Sequence, residues 1–224
     1  MKRKQKPVKF IPDSELVKVP VRDNGEPLVK IKDFVTGLVF RAPKYIRESG
    51  KRFVDQASTV RIGVAEKLAL ARKLLPPGHN FFLRSAYRSL TVQRKTYQKT
   101  FDKIRKNNPE WSLDRLKEEV SKFVAPLDII PPHSTGGAVD ISIIGPNGRQ
   151  LDMGTKIGQD TDLEKTRTDS NKISAAAIKN RELLIRVMTA VGFINYPTEW
   201  WHWSYGDQYW AAELKKKYSI YDGI

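Results

Sequence analysis

The chain has three histidines, His79, His133 and His202, and no cysteine. Chemistry that needs imidazole must draw on those three positions, and thiol catalysis, disulfide scaffolds and cysteine-bearing zinc sites are excluded. His133 opens the segment His-Ser-Thr-Gly-Gly-Ala-Val-Asp, which ends at Asp140, and His202 closes Glu-Trp-Trp-His, which begins at Glu199. Two imidazoles and one carboxylate are a common ligand set for a catalytic zinc, with the fourth position left to water. Such a site needs a further carboxylate outside the ligand set, to take a proton from water and pass it to a leaving amine. Glu199 is the candidate. Each residue alone also fits an ordinary role, a solvated aspartate on a strand or a histidine satisfied by a hydrogen bond. His79, in Pro-Pro-Gly-His-Asn, reads as a surface turn residue.

These residues need elements to hold them. Along Gly137–Ile144, Val139, Ile141 and Ile143 alternate with Ala138, Asp140 and Ser142, so a strand there turns Asp140 away from its apolar face. Gly136-Gly137 permits close backbone approach or unusual dihedrals, or simply a tight turn. Phe193-Ile-Asn-Tyr and Trp201-His-Trp-Ser-Tyr read as strands. Strict alternation would put Glu199 and His202 on opposite faces, so the two share a site only if the backbone is irregular after Pro197-Thr198. Helical spacing predicts helices over 64–75, closed by Pro76-Pro77-Gly78, over 89–106, from Ser112 to about Val124, and over 174–191, closed by Gly192. Asp207 caps a last helix through Lys216. Residues 1–60, with apolar runs at Leu28 and Gly37, read as short strands and loops. Strands and helices mix without a regular βαβ repeat, so the expected class is α+β, a small antiparallel sheet flanked by helices. The expected organisation is one domain over 1–224.

Forty Lys and Arg stand against 25 Asp and Glu, a net charge of +15. That excess suits nucleic acid, membrane surfaces or an anionic wall polymer, or merely a soluble surface. The basic start, Met1-Lys-Arg-Lys-Gln-Lys, is followed by Pro7 and Pro12 instead of the apolar run of a signal peptide, and nothing approaches a membrane span. A soluble, cytoplasmic protein is the expectation, with no indication of oligomeric state.

Taken together, His133-x6-Asp140 with Gly136 and Ala138 inside it, followed by Glu199-Trp-Trp-His202, resembles the zinc pattern of the D-alanyl-D-alanine dipeptidases. These VanX-type enzymes belong to a superfamily of zinc peptidases that cleave peptidoglycan peptides. Ala86-Tyr-Arg88, Leu151-Asp-Met-Gly-Thr, Asn180-Arg-Glu-Leu-Leu and Tyr205-Gly-Asp-x-x-Trp210-Ala are similar to further family segments, so the likeness runs from about Phe81 to the C-terminus and is loose over the N-terminal third. The resemblance implies one zinc ion on His133, Asp140 and His202, with Glu199 as general base and acid. It makes Arg88 the electrophilic partner, a role that suits a permanently charged fork; a structural ion pair is the alternative. Tyr87 fits core or wall, Trp200, Trp201 and Trp203 packing, and Ser134 either the ligand loop or substrate. The family often carries serine where this chain has Pro131, and the basic helical region 89–124 reads as an insertion. The implied activity is hydrolysis of a D,D-dipeptide. The alternatives are a D,D- or L,D-carboxypeptidase or endopeptidase on larger fragments, where the basic surface would hold an anionic cell-wall polymer, or a catalytically silent binding module. With a small zwitterion as substrate, nucleic acid is not the expected partner.

Overall fold

The computed structural model describes residues 11–121, 124, 129–158 and 162–224. The Lys-rich stretch 1–10 and most of the expected end of the third helix lie outside the described residues. In chain order the elements are α1 (Asp13–Leu16), β1 (Leu28–Lys30), β2 (Val39–Phe40), α2 (Lys44–Glu48), α3 (Lys51–Gln56), β3 (Thr59–Arg61), α4 (Ile62–Lys73) and β4 (Asn80–Ser85). They continue with α5 (Leu90–Asn107), α6 (Leu113–Ser121), a 3-10 turn (Pro132–Thr135), β5 (Ala138–Ile144), α7 (Leu163–Thr166), α8 (Ala175–Ala190), β6 (Ile194–Asn195), β7 (His202–Ser204) and α9 (Gln208–Glu213).

The α+β class holds. The main sheet has the order β2-β4-β5-β7-β6, and β1 pairs separately with β3. It is antiparallel except at one edge, where β2 runs parallel to β4. A parallel pair needs a long crossover, and here α2, α3, β3 and α4 supply it. The N-terminal third is thus part of the sheet and more helical than its sequence suggests. α2 and α3 are too short and too basic to display an apolar stripe.

The apolar face of β5 packs with Phe81 and Leu83 of β4, Trp203 of β7, Val64 and Leu68 of α4, and Leu184 and Met188 of α8 in one buried cluster. Burying each such side chain contributes roughly 1.5–3 kcal/mol. The opposite face of β5 is not open to water either, since Ala138, Asp140 and Ser142 are buried as well. Helix starts follow the expected caps. Ser89, Ser112, Ser174 and Asp207 accept from Val92, Arg115, Ala177 and Trp210 N–H groups respectively. The last helix ends at Glu213, short of Lys216, because the chain turns at Lys215 with a positive φ of 51°. Among the described residues no helix is long and apolar enough to cross a membrane.

Two buried arginines tie distant segments together. Arg61 donates to the carbonyls of Thr135, Glu26 and Asp222 and pairs with Asp23 at 2.6 Å. Arg181 donates to Met153, Arg167 and Lys165 carbonyls, fastening the loop after β5 onto α8. Asn180 and Trp200 add bonds to Asp152 and Thr155 of the same loop, which gives the Leu151–Thr155 and Asn180–Leu184 segments a joint structural purpose.

Candidate metal centre

Strand pairing sets the first two site residues side by side. In the β5–β7 register Asp140 lies opposite His202, and on its other side Ser85 of β4. The third, His133, arrives from the 3-10 turn that precedes β5. Gly136 leaves that turn with φ +73°, and a Cβ on Gly137 would sit 2.3 Å from the Tyr205 carbonyl oxygen. Both glycines are therefore required, one for its dihedral and one for close approach.

His133, Asp140 and His202 are 8%, 9% and 7% exposed, and one donor atom from each lies within 4.8 Å of the others. His133 Nδ1 is 2.7 Å from the Ala86 carbonyl, to which only an N–H can bond. That fixes the tautomer and leaves the Nε2 lone pair 3.3 Å from Asp140 Oδ1. His202 Nδ1 lies 3.1 Å from the same oxygen. Atoms gathered this closely in a buried site need positive charge between them, which a ring proton or a metal ion can supply. A tetrahedral zinc with bonds of about 2.0–2.1 Å spaces its donors about 3.3 Å apart, so the set fits that ion.

Electrostatics agree. Burial alone would raise the Asp140 carboxyl, but the charges and hydrogen bonds of His133 and His202 outweigh it and hold the group well below the usual carboxylate range. Burial pushes His133 down, against the pull of Asp140. For His202 burial acts the same way, but the hydrogen bond and charge of Asp140 prevail and raise it.

Arg88 is zipped to the ligand turn. Its N–H donates to the His133 carbonyl at 3.0 Å, and Ser134 Oγ donates back to the Arg88 carbonyl at 2.8 Å. Ser134 thus serves the ligand loop. The Arg88 guanidinium reaches Gln93 Oε1 at 3.1 Å and stands 5.2 Å from the Tyr45 ring centroid. Its Nε is buried with no acceptor among the described residues. An arginine in a structural ion pair would spend that donor; this one keeps it.

Glu199 lies outside β7, in two successive turns closed by Glu199 N–H to the Tyr196 carbonyl and His202 N–H to the Glu199 carbonyl, both 3.0 Å. Strand alternation does not apply there, and the Glu199 charge reaches His202. The irregularity has a mechanical cause. Asn195 Nδ2 donates to the carbonyls of Glu199 at 3.2 Å and His202 at 2.9 Å, and Thr168 Oγ1 donates to Asn195 Oδ1. His79 stays in the turn before β4, bonded to the Pro77 carbonyl. Tyr87 is buried and donates to the Ile224 carbonyl, and Trp203 faces the core.

Two residues near the site escape sequence reasoning. Tyr45 on α2, its ring 5.2 Å from the Arg88 guanidinium, is pushed up mainly by burial, with the Arg88 charge opposing and the Asp140 charge reinforcing. Asn195 reads in sequence as an ordinary residue of a short strand. Only its distance of four and seven positions from Glu199 and His202 hinted at a clamp.

A family model described as D-ala-D-ala dipeptidase matches residues 35–222. The chain belongs to the D-Ala-D-Ala dipeptidase family. It is a metallopeptidase of the peptidoglycan-related class, and the donor set above is of the type such dipeptidases require. A D-alanyl-D-alanine dipeptidase of Synechocystis sp. is 28% identical over 230 residues, covering 92% of either chain. Another, from Escherichia coli, is 35% identical over 81 residues, 36% of this chain and 41% of that one. Solved structures similar to this dipeptidase-family chain include VanYB in complex with D-alanine-D-alanine, at 17% identity and a TM-score of 0.41, covering 70% of this chain and 76% of that one. The LdcB LD-carboxypeptidase is 21% identical with a TM-score of 0.38, covering 86% and 74%.

Proposed function

We propose that the chain hydrolyses the D-alanyl-D-alanine dipeptide, with His133, Asp140 and His202 holding one zinc ion. The observation that carries the reading is the approach of both histidine rings to one oxygen of Asp140, 3.3 and 3.1 Å away. Bound there, zinc supplies Lewis acidity, which lowers the pKa of water toward about 7 and polarises a carbonyl. Glu199 takes the proton of the attacking water and delivers it to the leaving amine nitrogen. Arg88 directs its unspent Nε donor at the oxygen on which charge builds, and the Tyr45 ring beside it lines the site. The reading takes the whole chain as one peptidase domain acting in the cytoplasm, with α5 and α6 inserted beside the site.

The test pairs metal analysis with release of D-alanine. Glu199→Ala should keep about one zinc per chain and lose about 10²–10⁴-fold in kcat. A wild-type protein that takes up no zinc, or a variant with full activity, overturns the reading.

A second reading has one observation in its favour. Residues 41–56 and 84–108 carry thirteen Lys and Arg against three acidic residues, and they include Tyr45 and Arg88. That field suits a D,D-carboxypeptidase or endopeptidase drawing in larger anionic peptidoglycan fragments.

A further inference from the structure

We propose that Ile224 and Tyr87 are positioning residues, a strap that fixes the turn carrying His133 against Arg88. The inference rests on the reading of His133 as a metal ligand and of Arg88 as the group that meets the developing charge. In that reading both serve one carbonyl oxygen, so their spacing bears directly on the rate.

The ligand turn is held by its backbone. Each carbonyl from Pro132 to Gly137 accepts a hydrogen bond. Pro132 accepts from Thr135 Oγ1, Gly137 from Tyr205 N–H, and His133 from Arg88 N–H. Thr135 and Gly136 accept from the Nε and the backbone N–H of Arg61. The remaining carbonyl, on Ser134, accepts from Ile224 N–H at 2.9 Å. Ser134 is fully buried, so that carbonyl draws its donor from protein. Ile224 uses its other backbone group as well, since its carbonyl accepts from Tyr87 Oη at 2.6 Å. One residue is therefore bonded to the neighbour of His133 on one side and to the neighbour of Arg88 on the other. Beside the two direct bonds between Arg88 and the turn, it makes a third tie through different residues.

The approach of the strap is fixed just before it. Asp222 N–H donates to Asp23 Oδ2 at 2.7 Å, and the Asp222 carbonyl accepts from Arg61 Nη2 at 3.3 Å. A Cβ on Gly223 would stand 3.3 Å from the Ile130 side chain, so glycine lets the chain lie close there. Ile224 itself is 46% exposed. Its two backbone bonds, more than its packing, hold it in place. Were they lost, water would satisfy the Ser134 carbonyl without fixing where it stands.

The test reads turnover apart from stability and metal content. Deletion of Gly223 and Ile224 removes both bonds, Tyr87→Phe removes one, and Ile224→Ala keeps both backbone groups. The substrate is free D-alanyl-D-alanine, and each protein is assayed well below its own melting transition. The deletion and Tyr87→Phe should each lower kcat about tenfold, with KM little changed and about one zinc per chain retained. Ile224→Ala should turn over like the parent. A merely stabilising contact would shift the melting temperature and leave the kcat of folded protein where it was. Parental kcat in both the deletion and Tyr87→Phe overturns the strap and leaves the metal site standing. An equal loss in Ile224→Ala also overturns it, because the effect would then belong to the side chain. If the parent itself binds no zinc and releases no D-alanine, the ligand reading falls and takes the strap with it. Should the deletion fail to fold, Tyr87→Phe decides alone by the same criterion.

Discussion

Arg88 holds a buried Nε donor that no described residue accepts, beside a ring of Tyr45 and one turn of hydrogen bonds from His133. A donor kept idle in the free protein is worth most when charge develops against it. Arg88→Lys keeps the charge and loses the fork, so kcat should fall about 10²-fold or more with zinc content unchanged. Steady-state kinetics with metal analysis checks this, and an unaltered kcat would make Arg88 structural. Scarcity made this scale legible in the sequence. With only three imidazoles, His133, Asp140, Glu199 and His202 stood out as candidates, and their likeness to the dipeptidase pattern joined them into one candidate site. Tyr45 was not legible, because its proximity to Arg88 and Asp140 comes from how α2 packs, which no local pattern encodes.

The turn carrying Glu199 is an element in its own right, shaped by Asn195 from the neighbouring strand and braced by Thr168. Removing the clamp takes one of two donors from the Glu199 and His202 carbonyls, which keep the His202 and Tyr196 N–H groups, at a cost of about 0.5–1.5 kcal/mol. Asn195→Ala should therefore lower kcat by about 10²-fold through misplacement of Glu199, in protein that still binds zinc. A kcat equal to the parent's would show that the turn holds itself. The long helices were readable because cap, stripe and stop signal coincide, as in α8 between Ser174 and Gly192. The shortest pieces were not. Neither α2 and α3, nor the parallel placement of β2, has a periodic signal, and both are imposed by the crossover to β4.

Across the whole molecule, charge is unevenly spread. The segments 41–56 and 84–108 account for ten of the fifteen net positive charges, and Lys99 of α5 approaches Glu48 of α2 at 3.9 Å, so the two segments lie together. A zwitterionic dipeptide feels little of that field, whereas a peptidoglycan peptide with several carboxylates feels much. Accordingly, kcat/KM for the free dipeptide should hardly change between about 0.01 and 0.5 M salt, and for an anionic muropeptide it should fall about tenfold. Strong salt dependence for the dipeptide would mean that the charge serves catalysis itself. The β5–β7 register has a consequence of another kind. Because Asp140 and His202 face each other across the ladder, slipping β7 by one residue would bring Trp203 opposite Asp140 and turn His202 into the apolar core. Mispaired molecules would lack the Asp140–His202 pairing, so the donor set exists only in chains whose strands have aligned correctly.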